Sequence, residues 1–82
     1  MVILPVHEEI IHYLKKRQLL KKFEKQCKFF IQDPNHPSLN LEILEPKYLK
    51  IYSFRVDKKY RALFIFRAPD LIEILDVNNH YK

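Results

Sequence analysis

The segment DPNHPS, residues 33–38, divides the chain into two parts that follow different periodicities. Two prolines within four positions each remove a backbone donor and crowd the preceding turn, so no helix continues through them. Before this break apolar residues recur at helical spacing. After it they alternate with polar ones.

On the N-terminal side, MVIL reads as a short strand, and Pro5 suits a first helical turn, where its missing N–H would have no partner. Val6, Ile10 and Leu14 then mark one helical stripe, which Ile11 widens. Leu20, Phe23, Cys27, Phe30 and Ile31 mark a second, flanked by Lys21, Lys22, Lys25 and Lys28. Arg17 and Gln18 stand at the join, so the two helices form a hairpin whose stripes need a common apolar partner.

That partner lies on the C-terminal side. Leu39, Leu41 and Ile43 alternate with Asn40 and Glu42, and a second alternating run, LKIYSFRV, begins near Leu49. DKK makes the next turn, and Tyr60 to Arg67 and Leu71 to Val77 form two further strands across Ala68, Pro69 and Asp70. The expected fold is α+β, with an N-terminal helical hairpin on one face of an antiparallel sheet of about four strands. At 82 residues the chain has the length for one core, and residues 1–82 are read as a single domain. It contains no glycine, so its turns must avoid positive φ or tolerate it in other residues.

Composition narrows the function classes. No apolar run approaches the roughly 18 residues that span a bilayer, and MVILPVHEE lacks the basic start and cleavage site of a signal peptide. A soluble cytoplasmic protein is expected. The lone Cys27 cannot close an internal disulfide and reads as a small core residue. Fifteen Lys and Arg against ten Asp and Glu give a net charge of +5, which favours a polyanion or an acidic protein as partner.

Four histidines and a cysteine raise the question of a metal. His7 and His12 are five residues apart, about 140° round a helix, so they cannot face one ion. His36 stands alone in a loop. Neither a metal site nor a cofactor is expected.

The segment SFRVDKKYRALF is more informative. With Asp57, Lys58 and Lys59 as a three-residue turn, Val56 pairs with Tyr60, and Arg55 lies opposite Arg61 on one face. Facing like charges are destabilising unless an anion lies between them. Two arginines beside two lysines then make a phosphate clamp. The competing readings are a solvated basic hairpin, or arginines paired with Glu42, Asp57 or Asp76. A two-residue turn would instead put the arginines on opposite faces.

Two further groups complete the candidate chemistry. Glu42 points away from the face that Leu41 and Ile43 bury, which is ordinary for a solvated carboxylate; beside Arg61 it would be held ionised, as a general base requires. His80 and Tyr81 follow an apolar strand directly. Histidine exchanges protons near neutral pH, and tyrosine hydrogen-bonds or stacks on a base. The alternative is a frayed tail.

The succession HPSLNLEIL, then YSFRVDKKYRALF, then a last strand closing in HY resembles the RelE/ParE superfamily of toxins from toxin-antitoxin pairs, and within it the YoeB branch of mRNA endonucleases. The resemblance implies a RelE-like ribonuclease fold that cleaves mRNA without metal, usually in the ribosome, and a cognate antitoxin that holds it inactive. By position it makes Arg61, His80 and Tyr81 catalytic, with Glu42 as base and Glu45 as the fallback. Lys47, Lys50, Arg55, Lys58 and Lys59 would hold the RNA backbone. Two other readings stay open: a non-enzymatic inhibitor of DNA gyrase from the ParE side, and a degenerate member that only binds nucleic acid or an antitoxin. The HY ending favours the nuclease.

Overall fold

The computed structural model describes residues 1–80. Helices α1 (Glu8–Lys16) and α2 (Leu20–Gln32) pack on a sheet built from β1 (Val2–Ile3), β2 (Glu42–Ile43), β3 (Tyr52–Arg55), β4 (Arg61–Ala68) and β5 (Leu71–Asn78). The spatial order is β1-β5-β4-β3-β2, so the expected antiparallel meander from β2 to β5 is present. The sheet has a fifth strand as well, because β1 joins β5 in parallel. This pairing explains Pro5. The backbone is still on the ladder at Leu4, whose N–H donates to Ile72 O at 2.9 Å, and Pro5 ends it where a missing donor costs nothing. The helix therefore starts at Glu8, with His7 as its N-cap, rather than at Pro5.

The join at Arg17 and Gln18 closes without glycine. Gln18 adopts φ 58°, the Gln18 N–H donates to Lys15 O at 3.1 Å, and the Leu19 N–H reaches back to Leu14 O at 2.8 Å. This is a Schellman ending, and its apolar contact comes from Leu14 and Leu19, both buried.

The core-facing stripe of α2 is rotated from the one expected. Leu19, Phe23, Gln26 and Phe30 are buried, whereas Ile31 is 46% exposed and Leu20 and Cys27 are only half-buried. A glutamine occupies the apolar face because its amide has two fixed acceptors there, Ser38 O at 3.1 Å and Arg55 O at 2.8 Å. Those carbonyls belong to the loop and strand at the sheet's β2 side, and Gln26 satisfies them where β2 is too short to do so. Burial pushes the Cys27 thiol up to about 12, with Glu24 adding to the shift, so it is not a reactive thiolate.

Phe30, Phe54 and Phe64 are fully buried and in mutual ring contact, and Phe23 stacks on Phe54. Ring pairs of this kind contribute about 0.5–1.5 kcal/mol each beyond the area they bury. The register places Phe54, Ala62 and Val77 side by side on the helix-covered face. The alternate residues Glu42, Ser53, Arg55, Arg61, Asp76 and Asn78 therefore share the opposite face.

Strand β2 is shorter than expected because Pro37–Leu39 coils into a 3₁₀ turn, and Leu39 drops into the core. Likewise β3 begins at Tyr52 because Lys47–Leu49 forms a second such turn, entered through a cis Glu45–Pro46 bond. Asn40 (φ 44°) and Lys50 (φ 54°) end these two turns in the left-handed region. Among the described residues, no helix is long and apolar enough to cross a membrane.

Candidate functional site

The β3–β4 hairpin builds the site. Asp57 Oδ1 accepts from the Lys59 N–H at 2.8 Å and the Tyr60 N–H at 2.9 Å, while the Val56 and Asp57 N–H groups both point at Tyr60 O. Two residues thus oppose one in a β-bulge, and the Asp57 side chain takes the role for which a hairpin often uses glycine. Partial burial raises the Asp57 carboxyl, but the two backbone N–H groups and Lys22 outweigh it and hold the group below the usual range. The resulting register is the one in which Arg55 faces Arg61.

The two arginines are not equivalent. Arg55 is exposed, whereas Arg61 is only 7% exposed and lies across β3. The Arg61 Nε–H donates to Ser53 Oγ at 2.9 Å, and its terminal N–H groups reach Ser53 O at 3.2 Å and Asn40 O. Ser53 is fully buried, and the left-handed turn at Asn40 brings the chain across the end of the guanidinium. Burial lowers the Arg61 pKa and Arg55 adds to that, while Glu42 opposes it. An arginine so placed stays charged.

Arg61, Arg55, Glu42 and Asn40 line a cleft of about 230 Å³, closed at the hairpin end by Asp57, Lys58 and Lys59. The structure thus brings together five residues singled out from sequence: Glu42, Arg55, Lys58, Lys59 and Arg61. Glu42, not Glu45, lines the cleft, because Glu42 is opposite Ser53 in the ladder and Glu45 is exposed beyond the end of β2. Lys47 and Lys50 are not brought in. They sit in the exposed β2–β3 loop, at the end of β3 away from the hairpin.

His80 is exposed and is not among the residues lining the cleft. Its backbone does follow the site closely: Asn78 is the cross-strand partner of Arg61, and the His80 N–H donates to Asn78 Oδ1 at 3.2 Å. Tyr81 lies outside the described residues. The sequence reading missed Asn40, Ser53 and Gln26. Ser53 carried a signal, a polar residue within an apolar strand on the same side as Arg55. Asn40 contributes through a carbonyl, which no side-chain pattern reveals.

His7 and His36 are engaged by other side chains. His7 Nε2 contacts Glu73 Oε2 at 2.9 Å, and His36 stacks on Phe29 at 4.0 Å while its Nδ1 accepts from the Ser38 N–H. Among the described residues, no three His, Cys, Asp or Glu side chains cluster as a metal site.

No protein-family profile matches the sequence. No curated protein matches it either. Solved structures do. A chain of the heterotetrameric YoeB-YefM toxin-antitoxin complex from Staphylococcus aureus superposes with a TM-score of 0.70 at 19% identity, covering 99% of this chain and 97% of that one. The YoeB/ParE toxin from Agrobacterium tumefaciens gives 0.71 at 13% identity, covering 98% and 96%. YafQ from Escherichia coli gives 0.74 at 10% identity, covering 98% and 92%. The fold is therefore that of RelE/ParE-type toxins over nearly the whole chain, as the sequence resemblance implied.

Proposed function

We propose that this chain, which has the fold of the YoeB-type toxins, is an endoribonuclease that acts as the toxin of a toxin-antitoxin pair. The observation that carries the reading is the meeting of Glu42 and the buried Arg61 in one cleft whose other cations are Arg55, Lys58 and Lys59. A carboxylate and a fixed guanidinium in one cleft, with further cations around both, suit cleavage by an RNA strand's own 2′-OH.

In this reading Glu42 takes the proton of the ribose 2′-OH as the 2′-oxygen attacks the adjacent phosphorus. The P–O5′ bond breaks, a 2′,3′-cyclic phosphate forms, and His80 protonates the departing 5′-oxygen. Arg61, already held by Ser53 and Asn40, faces the charge that accumulates on the phosphoryl oxygens without having to reorganise. Tyr81 orients the phosphate or stacks on a base. The scheme calls on side chains alone. The messenger, bound to the ribosome, is the substrate class implied by the sequence resemblance. A cognate antitoxin as partner is supported by the YoeB-YefM complexes among the solved structures.

One observation favours a second reading. His80 does not line the cleft, and a chain that binds RNA without cutting it would not need it to. The experiment that separates the two is to incubate the protein with translating ribosomes and map cut ends, alongside Arg61→Ala and His80→Ala. Cleavage reduced by about 10²-fold or more in both variants supports the nuclease. RNA binding with no cut ends in the wild type overturns it, and so does continued cutting of a substrate whose 2′-OH at the cut site is replaced by hydrogen.

A further inference from the structure

A second cleft, of about 390 Å³, opens between α2 and the hairpin. Its cations are Lys22 and Lys25 from α2 together with Arg55 and Lys58 from the hairpin, and all four are exposed. Gln26 and Ser38 form part of its wall. The cleavage chemistry at Arg61 leaves this cleft without a role. We propose that it is a second phosphate subsite, which holds the RNA strand where it leaves the Arg61 cleft. The proposal rests on the reading of that cleft as an RNA site.

Three observations point to a nucleic-acid strand rather than an acidic protein. The two clefts share Arg55, Asp57 and Lys58, so they adjoin along the hairpin, and an anion chain leaving one enters the other without a gap in positive charge. The second cleft is concave, and its cations come from two separate elements. That arrangement surrounds a compact phosphate and gives an acidic helix no continuous face to lie on. Its one carboxylate is already engaged: Asp57 accepts from two backbone N–H groups, and its Oδ2 lies 3.7 Å from Lys22 Nζ.

Lys22 and Lys25 stand three residues apart and so project side by side from α2. The buried Gln26 fixes their position. Its amide bonds to Arg55 O and Ser38 O, which ties the helix turn carrying the lysines to the strand carrying Arg55. Lysine acts on phosphate as a point charge and reads no base. The subsite therefore adds affinity and direction to the strand, and no sequence preference.

The test is equilibrium binding of a 2′-O-methyl RNA oligomer, long enough to span both clefts and unable to be cleaved, across a salt series. Lys22→Ala/Lys25→Ala keeps the helix, since alanine is the best helix former. The control Lys15→Ala/Lys16→Ala removes the same charge from the last turn of α1. For a single strand, each phosphate left without its lysine lowers the salt slope by about 0.7. The α2 variant should therefore have a slope shallower by about 1.4, and its affinity should fall about sevenfold less than the wild type's over a fourfold rise in salt. The control should keep the wild-type slope. Equal slopes in the two variants would overturn the subsite, as would no RNA binding at all, or tighter α2-dependent binding of polyglutamate than of RNA. Cleavage by the wild type with an unchanged slope in the α2 variant rejects the subsite and leaves the nuclease standing. A shallower slope in that variant without cleavage by the wild type does the reverse.

Discussion

The Arg61 Nε–H donates to the Ser53 hydroxyl at 2.9 Å, and both residues are buried although they lie on the sheet face turned away from the helices. A serine on β3 thus sets where a guanidinium on β4 can point. Ser53→Ala removes that acceptor from a buried donor, and leaving such a group short of a partner costs about 1–3 kcal/mol. The expected outcome is a lower denaturant midpoint together with slower cleavage, since the guanidinium is no longer pinned. Unchanged cleavage with lowered stability would make Ser53 a folding residue only.

Arg61→Lys should be almost as damaging as Arg61→Ala. One ammonium cannot meet Ser53 Oγ, Ser53 O and Asn40 O from a planar fork and still face a phosphoryl group. Single-turnover cleavage should fall by about 10² to 10³. Recovery to near wild-type rate with lysine would show that charge alone suffices.

Asp57 lines both clefts and is their shared negative charge. In Asp57→Asn the side-chain oxygen still accepts from Lys59 and Tyr60, so the hairpin is kept, while Lys22 loses its carboxylate partner. RNA should bind several-fold more tightly because the carboxylate that repels phosphate in both clefts is gone, while Lys22 keeps its phosphate and the salt slope stays near the wild-type value. Binding titrations at several salt concentrations check this.

Gln18 carries φ 58° in the Schellman turn between the helices, a conformation that costs a residue with a Cβ about 1 kcal/mol or more. Gln18→Gly should raise stability by up to about 1 kcal/mol, read as a higher urea midpoint at unchanged m. Cleavage and RNA affinity should not move, because Gln18 touches neither cleft.

Glu73 ties β5 to the β1–α1 connection. It meets His7 at 2.9 Å and accepts from Arg67 Nε at 2.7 Å, and hydrogen bonding to these two holds its carboxyl below the usual glutamate value. A lowered folded-state pKa means that the contribution is complete above the unfolded glutamate value and is lost as pH falls through the folded one. Wild type should therefore lose stability in that acid window, and Glu73→Gln should show a shallower loss there. Parallel acid limbs in the two proteins would mean that the contacts add nothing.

Much of this molecule is written in its period. The switch at DPNHPS determines two helices followed by a meander, and the three residues DKK set Arg55 against Arg61, because side-chain direction alternates along a strand and loop length fixes the register. These are local rules, so they can be read locally. What only the tertiary structure decided depends on partners far away in the chain. The short strand in MVIL joins the sheet in parallel because β5 offers an edge, and Gln26 is buried because two carbonyls await it. Glu42 rather than Glu45 meets the cleft because β2 stops after two residues, and the same loop carries Lys47 and Lys50 away. Arg61 is a buried, oriented cation because a serine and a main-chain carbonyl come to it from elsewhere in the chain. A spacing rule knows nothing of an acceptor eight or twenty-one residues away.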